Sequence, residues 1–421
     1  MNTNSSILSL QHSDQISIDS YKDGKKLKSL WLSIPAYCHL KCPYCFASTN
    51  AHDKKIEILS KEQYENIIRD FAALGGEFIG IPGDGEPFHP SCWELVQFIL
   101  TLCNELRIKV ALFTTGDLIF FDVKGKETKP NYEKIEFIKD KDVVLLIKYN
   151  HSNGEIQNRL VGGKHSTYTE LRERALDILI DQYHFNDAKR IGLVTSVMRE
   201  NAEKEEPNGK LEIINIYERT KRQNLIFDCD TILELGRGKT FTTRENGVLS
   251  QVDLEKVFRK LSDAGAVGLN QGGTYVGNTC CDRILHHLYI KSNGDVFPCI
   301  GCSREDLFSD MKLGNIKTNS LEENWRHHLR RKLAEKRHET LIGVCADCEN
   351  FKTEKCYSCL GRCIISDEYG SPINNHNRIT TVGCIHHKPS TTTWLANLVD
   401  YIRTTLSYKV TTESLKDINT G

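Results

Sequence analysis

The residues in this chain best able to do chemistry are its cysteines, 16 among 421. Three of them stand in the run Cys38-His39-Leu40-Lys41-Cys42-Pro43-Tyr44-Cys45, a C-x3-C-x2-C spacing on one short loop. Ten more crowd between Cys280 and Cys384. A disulfide framework would need export, and the polar stretch from Met1 to Gln15 has neither the basic nor the apolar region of a secretory signal. Clustered cysteine in a chain read as cytoplasmic points to metal instead. Three thiolates on one tight loop can hold three irons of a [4Fe–4S] cubane and leave the fourth iron open to another ligand. A structural zinc site would want a fourth protein ligand, and His39, inside the loop, is a poor candidate. Zinc or a redox dithiol is the alternative by spacing alone. Cys92, Cys103 and Cys229 stand alone in apolar helical or strand patterns and read as small buried hydrophobes.

Such a loop needs a frame, and the hydrophobic pattern supplies one. Leu30 to Ala36 reads as a strand leading directly into the three cysteines. Further strands are expected at Phe78 to Pro82, Lys109 to Thr114, Val143 to Lys148, Arg190 to Val197 and Leu225 to Leu235. Helices are expected between them: one opened by the capping box Ser60-Lys61-Glu62-Gln63, then Trp93 to Leu106, Tyr168 to Tyr183 and Leu211 to Arg222. Alternation of this kind argues for an α/β fold with a parallel sheet and right-handed crossovers, a partial (β/α)6 barrel. Binding groups then belong at the C-terminal ends of the strands.

After Gly273 the character changes to short segments rich in Gly, Asn and Cys. The expected division is a polar leader (1–28), the partial barrel (29–250), a linker helix (251–275), a small Cys-rich, loop-rich domain (276–390), and a closing helix and tail (391–421) with the helix at Thr392 to Tyr408. Hydrophobic residues at 39% and charged residues at 26% describe a core-forming chain. Lys+Arg 55 against Asp+Glu 56 gives −1, so no specific nucleic-acid partner is expected, and with no uninterrupted run of about 18 apolar residues no membrane span is expected either.

The C-x3-C-x2-C loop, with aromatic Tyr44 before its last cysteine, resembles the signature of the radical S-adenosylmethionine superfamily. The resemblance implies that Cys38, Cys42 and Cys45 hold a [4Fe–4S] cluster whose open iron binds S-adenosylmethionine. Gly83-Asp84-Gly85-Glu86-Pro87 resembles the Gly-Gly-Glu segment that receives the methionine amino group, although Asp84 departs from the all-glycine form. Thr114-Thr115-Gly116 stands where the family often has Thr-Asn-Gly. Lys148 and Asn150 end strand four, where members contact the methionine carboxylate or ribose. Thr195 and Ser196 lie on strand five, and Glu234 ends strand six. The implied cofactor-binding set is therefore Tyr44, Gly85, Glu86, Thr115, Lys148, Asn150, Ser196 and Glu234.

The C-terminal cysteines resemble the SPASM extension of such enzymes: a cysteine, Gly294-x4-Cys299, a gap, Cys345-x2-Cys348, Cys359-x3-Cys363, and a last cysteine, Cys384. That implies two auxiliary [4Fe–4S] clusters with interleaved ligands. The first would take Cys281 (or Cys280), Cys299 and Cys363, with Cys280 or Cys302 as the fourth ligand. The second would take Cys345, Cys348, Cys359 and Cys384. Ten residues separate Cys348 from Cys359, more than the family usually has, and Cys356 lies among them, so Cys356 or Cys359 is the third ligand. Two zinc ribbons are the rival reading. Arg326 to Arg337 reads as a basic helix with a solvated face, or alternatively a dock for an anionic peptide or a phosphorylated substrate.

By this resemblance the chain is a radical S-adenosylmethionine oxidoreductase or maturase of the cytoplasm. It would draw electrons from a low-potential donor such as flavodoxin or ferredoxin and abstract hydrogen from its substrate. Oxidation or cross-linking of a peptide side chain is the first expectation. The same chemistry on a sugar, nucleotide or other small metabolite is the second, and a zinc-binding adaptor the remote third. Sulfatase-maturating members carry Asp directly after the G-x4-C cysteine; Ile300 stands there instead, which argues against that activity.

Overall fold

The structure is a computed structural model and describes residues 26–47, 57–123, 129–162, 167–233, 235–243, 247–249, 251–266, 286–303, 311–335, 341–343 and 379–381. The chain divides into two compact units, one of residues 1–273 with 282–335, the other of 274–281 with 336–421. In the first unit the order is β1 (Ser29–Leu32), α1 (Lys61–Ala73), β2 (Phe78–Ile81), α2 (Pro90–Glu105), β3 (Lys109–Thr114), α3 (Glu133–Ile138) and β4 (Val143–Lys148). Next come α4 (Gly154–Leu160), α5 (Tyr168–Asp177), β5 (Ile191–Val197), α6 (Arg199–Ala202), α7 (Glu212–Arg222), β6 (Ile226–Thr231), α8 (Arg237–Thr243) and α9 (Gln251–Asp263). β7 (His287–Ile290), β8 (Asp295–Phe297), β9 (Gly314–Asn315), α10 (Leu321–Trp325) and α11 (His328–Glu335) complete it. In the second unit β10 (Leu341–Gly343) runs parallel to β11 (Ile379–Thr381).

β1 to β6 are parallel and lie side by side in chain order. Every crossover therefore steps the same way, as a barrel wall requires and a doubly wound sheet does not. Among the described residues β6 pairs on one side only, as in the wall of a partial barrel. The helix faces follow the sequence pattern: α1 opens with the Ser60/Gln63 capping box and buries Tyr64, Ile67, Ile68 and Phe71. β4 buries five of its six residues because it is covered on both faces.

β7 adds to the other side of β1 in parallel, with Ser29 opposite His287, and β8 and β9 extend the sheet antiparallel. This places the hairpin that ends at Cys299 on the same sheet as the cysteine loop.

Some elements end elsewhere than the pattern suggests. β1 stops at Leu32 rather than Ala36, since Pro35 cannot donate to a ladder. β6 stops at Thr231, short of Leu235. α2 starts at Pro90 instead of Trp93, because proline suits a first helical position and the His89 side chain caps Ser91 N–H. The basic helix is interrupted between α10 and α11, and its face is not wholly solvated. Arg330 is buried, its guanidinium 3.5 Å from the centroid of the Trp325 ring, and burial pulls its pKa down to about 10. Cys92, Cys103 and Cys229 are buried as read. The helix expected at Thr392 to Tyr408 lies outside the described residues. Among those described, no helix is long and apolar enough to cross a membrane.

Candidate active site

The loop after β1 is pinned from three sides. Leu40 packs with Val161 and Tyr168 under Cys38 and Cys42, and Lys41 N–H donates to Val161 C=O at 3.1 Å. From α8, Arg237 Nε donates to Cys42 C=O at 2.8 Å and Gly238 N–H to Cys45 C=O at 3.2 Å. The Tyr44 ring meets Phe241 edge-on at 6.0 Å. So held, Cys38, Cys42 and Cys45 line one cavity of about 220 Å³ at the C-terminal ends of the strands.

Burial is the largest cause raising the Cys38 thiol well above its usual range, with the Glu86 carboxylate next. Burial and then Cys45 push Cys42 up to about 11. Buried neutral thiols that become thiolates only against positive charge suit an iron centre. Among the described residues no three His, Cys, Asp or Glu side chains converge on a single-ion site.

His39, inside the loop, is no ligand in this arrangement. Its Nε2 lies 2.7 Å from Asp117 Oδ2, and Thr115 Oγ1 donates to Asp117 Oδ1 at 2.6 Å. Burial opposes the His39 charge, but the Asp117 carboxylate outweighs it and raises the His39 pKa. A buried bond thus ties the cysteine loop to the end of β3.

The turn after β2 meets the same end. Glu86 is 2% exposed, and its Oε1 accepts from Thr114 Oγ1 at 2.7 Å and Phe88 N–H at 3.1 Å. Its Oε2 accepts Thr115 N–H at 2.7 Å. Burial raises the Glu86 pKa, against the lowering by Thr114 and Thr115. Gly85 is required here: a Cβ would lie 2.2 Å from Pro35 O, beside the cysteine loop. Gly85, Glu86 and Thr115 all line the cavity.

Opposite them, Lys148 and Ser196 line the wall, with Lys148 Nζ donating to Ser196 Oγ. Burial pulls Lys148 down to about 8, against the pull of Cys42 and Asp230. Asn150 is fully buried but is not among the described lining residues. Its Oδ1 accepts Ser196 N–H at 2.9 Å and staples β4 to β5, while its Nδ2 has no hydrogen-bond partner there. Glu234 lies outside the described residues.

Among the lining residues that the sequence reading did not single out are Asp228 and Asp230 on β6, and Ile300, just beyond Cys299, lines the cavity too. Period-two alternation between Phe227 and Cys229 puts both aspartates on one face, a signal that was available. On the same hairpin, Cys299 Sγ and Cys302 Sγ stand 3.6 Å apart, and Cys302 is buried. Cys280, Cys281, Cys345, Cys348, Cys356, Cys359, Cys363 and Cys384 lie outside the described residues.

Residues 280–349 match the SPASM family, described as an iron–sulfur cluster-binding domain, and residues 24–168 match a 4Fe–4S single cluster domain. The chain is 30% identical over 103 residues to the GTP 3′,8-cyclase of Synechocystis sp. (strain ATCC 27184 / PCC 6803 / Kazusa), and 29% identical over 99 residues to that of Psychromonas ingrahamii (strain DSM 17664 / CCUG 51855 / 37). These matches take in 24% of this chain and only 29% and 28% of those relatives. Among solved structures, Streptococcus suis SuiB bound to precursor peptide SuiA superposes with TM-score 0.54 at 17% identity, over 79% of this chain and 73% of SuiB. Native anSMEcpe with bound AdoMet and Cp18Cys peptide superposes with TM-score 0.53 at 20% identity, over 81% of this chain and 91% of anSMEcpe. At that identity the likeness is one of fold.

Proposed function

We propose that this chain, a radical S-adenosylmethionine protein with a C-terminal SPASM domain that uses [4Fe–4S] clusters and S-adenosylmethionine, abstracts hydrogen from a peptide side chain and leaves it oxidised or cross-linked. The observation that carries the reading is convergence: Cys38, Cys42, Cys45, the Gly85-Glu86 turn and Lys148 line a single cavity. A [4Fe–4S] cluster held by Cys38, Cys42 and Cys45 would supply the one-electron reduction of S-adenosylmethionine on which hydrogen abstraction depends.

The chain's own residues bind and orient. The backbone of the turn at Gly85 faces the methionine ammonium, and Glu86 keeps that backbone fixed against β3. Lys148, the one basic side chain among the described lining residues, pairs with the methionine carboxylate. Ser196 holds Lys148 in place and offers a hydroxyl to the ribose. Apolar Trp31, Phe113, Leu146, Val194 and Ile300 keep water from a reactive radical. Asp228 and Asp230 line the same cavity and bring carboxylates to it.

Peptide substrates are supported by the shared fold with SuiB and anSMEcpe, each seen with a peptide. The local similarity to GTP 3′,8-cyclases favours a nucleotide or other small metabolite as the second reading. For the auxiliary sites, the Cys299–Cys302 approach supports Cys302 as a candidate fourth ligand of the first cluster. The reducing cytoplasm and a flavodoxin- or ferredoxin-type donor complete the proposal.

The test is anaerobic reconstitution with iron and sulfide, reduction, and addition of S-adenosylmethionine. Formation of 5′-deoxyadenosine and methionine is expected. Zinc without sulfide in the purified protein would contradict the reading.

A further inference from the structure

We infer that Asp84 is a positioning residue that ties the S-adenosylmethionine turn to the β7–β8 hairpin, holding the methionine-binding backbone in register with the segment that bears Cys299 and Ile300. The inference deepens the proposed function and rests on it. Asp84 stands immediately before Gly85 and Glu86. It is 6% exposed and is not among the described residues that line the cavity beside its neighbours. Its Oδ2 accepts the Tyr289 hydroxyl of β7 at 3.0 Å.

That hydroxyl in turn accepts Ser33 Oγ at 2.9 Å, and Ser33 C=O accepts the Tyr64 hydroxyl of α1 at 2.7 Å. Ser33 N–H donates to Ile290 C=O at 2.9 Å. A chain of buried bonds thus runs from α1 through the end of β1 and β7 to the turn. Tyr289 lies opposite Phe297 in the hairpin, two residues before Cys299. Tyr289, Phe297 and Ile300 share one apolar cluster with Trp31.

The other side of the turn is fixed separately, since Glu86 N–H donates to Tyr37 C=O at 2.8 Å in the cysteine loop. Asp84 is therefore the link on the hairpin side. Its second oxygen, Oδ1, is buried without a hydrogen-bond partner among the described residues. A buried acceptor left unmet costs stability. A glycine here would remove that cost and the link together.

The experiment compares Asp84→Ala, Asp84→Asn, Tyr289→Phe and the Ala/Phe double variant in the reconstituted full chain. It reads Kd for S-adenosylmethionine by equilibrium dialysis, KM and kcat for 5′-deoxyadenosine formation, iron content and Tm. Losing one buried hydrogen bond in the turn is expected to raise Kd and KM about tenfold in Asp84→Ala and in Tyr289→Phe, with kcat and iron unchanged. The double variant is expected to be no worse than Tyr289→Phe, because the Asp84–Tyr289 bond is already lost there; Tyr289→Phe also removes the Ser33 Oγ bond to that hydroxyl. Asp84→Asn is expected to stay within about twofold of wild type, its amide oxygen still accepting from Tyr289. Wild-type Kd and KM in Tyr289→Phe, with only Tm lowered, would overturn the inference, and so would Asp84→Asn as impaired as Asp84→Ala. Should Asp84→Ala not fold, Tyr289→Phe decides alone. Absence of 5′-deoxyadenosine from the wild type itself would instead sink the functional reading beneath it.

Discussion

Glu86 shows how one side chain carries two duties at the residue scale. It was expected to meet the methionine ammonium, yet its two oxygens already take three protein donors. A glutamine has one acceptor oxygen and cannot serve both Thr114 and Thr115. Glu86→Gln is therefore expected to cost about 1–3 kcal/mol of stability and to weaken S-adenosylmethionine binding through a loosened turn. Thermal melts paired with dialysis check this; unchanged Tm with weakened binding would assign Glu86 to the ligand alone.

Asp84 gives a pH signature. Burial pushes its carboxyl from 3.8 up to about 7, opposed by the Tyr289 hydrogen bond and by Lys291. Tyr64 also faces it from α1. Between those values the folded chain holds a proton that the unfolded chain has released, so this group's contribution makes stability fall as pH rises and level off above about 7. Asp84→Asn removes the titration. Its Tm is expected to gain on wild type as pH rises through that window, and parallel curves would contradict the assignment. Cysteine spacing and the Gly85-Glu86 pair were legible because their chemistry is local. The His39–Asp117 bond was not, since 78 residues separate its partners.

The six parallel strands were legible at the element scale because apolar runs and helical periodicity are local signals. Val143 to Lys148 and the Ser60 capping box fell where the pattern put them. The joining of β7 to β1 was not legible, because pairing across a sheet edge leaves no trace in either segment's own sequence. The cysteine loop depends on a neighbour in the turn that follows α4. Gly162 has φ +99°, and a Cβ there would lie 2.9 Å from Lys41 O. Gly162→Ala is therefore expected to strain the loop and speed iron loss to a chelator severalfold, with the fold retained. An unchanged rate of chelation would show that the loop does not lean on this contact.

The account rests, for the whole molecule, on one initiating site and a cysteine-rich C-terminal region, of which Cys299 and Cys302 follow a strand of the same sheet. With ligands in sets of three, four and four, the reconstituted chain is expected to bind roughly 12 Fe. Cys299→Ala or Cys302→Ala is expected to lower that toward roughly 8 while uncoupled 5′-deoxyadenosine formation persists. Oxidised product would be lost, because abstraction needs only the first site whereas oxidation needs an electron acceptor. Wild-type turnover to product in a variant shown to lack that cluster would make the auxiliary sites structural.

The most direct test is the variant with Cys38, Cys42 and Cys45 all replaced by Ala, assayed for iron and for reductive cleavage of S-adenosylmethionine. Retention of roughly 8 Fe with no 5′-deoxyadenosine is the predicted result. Cleavage at the wild-type rate would place the chemistry elsewhere and contradict the account.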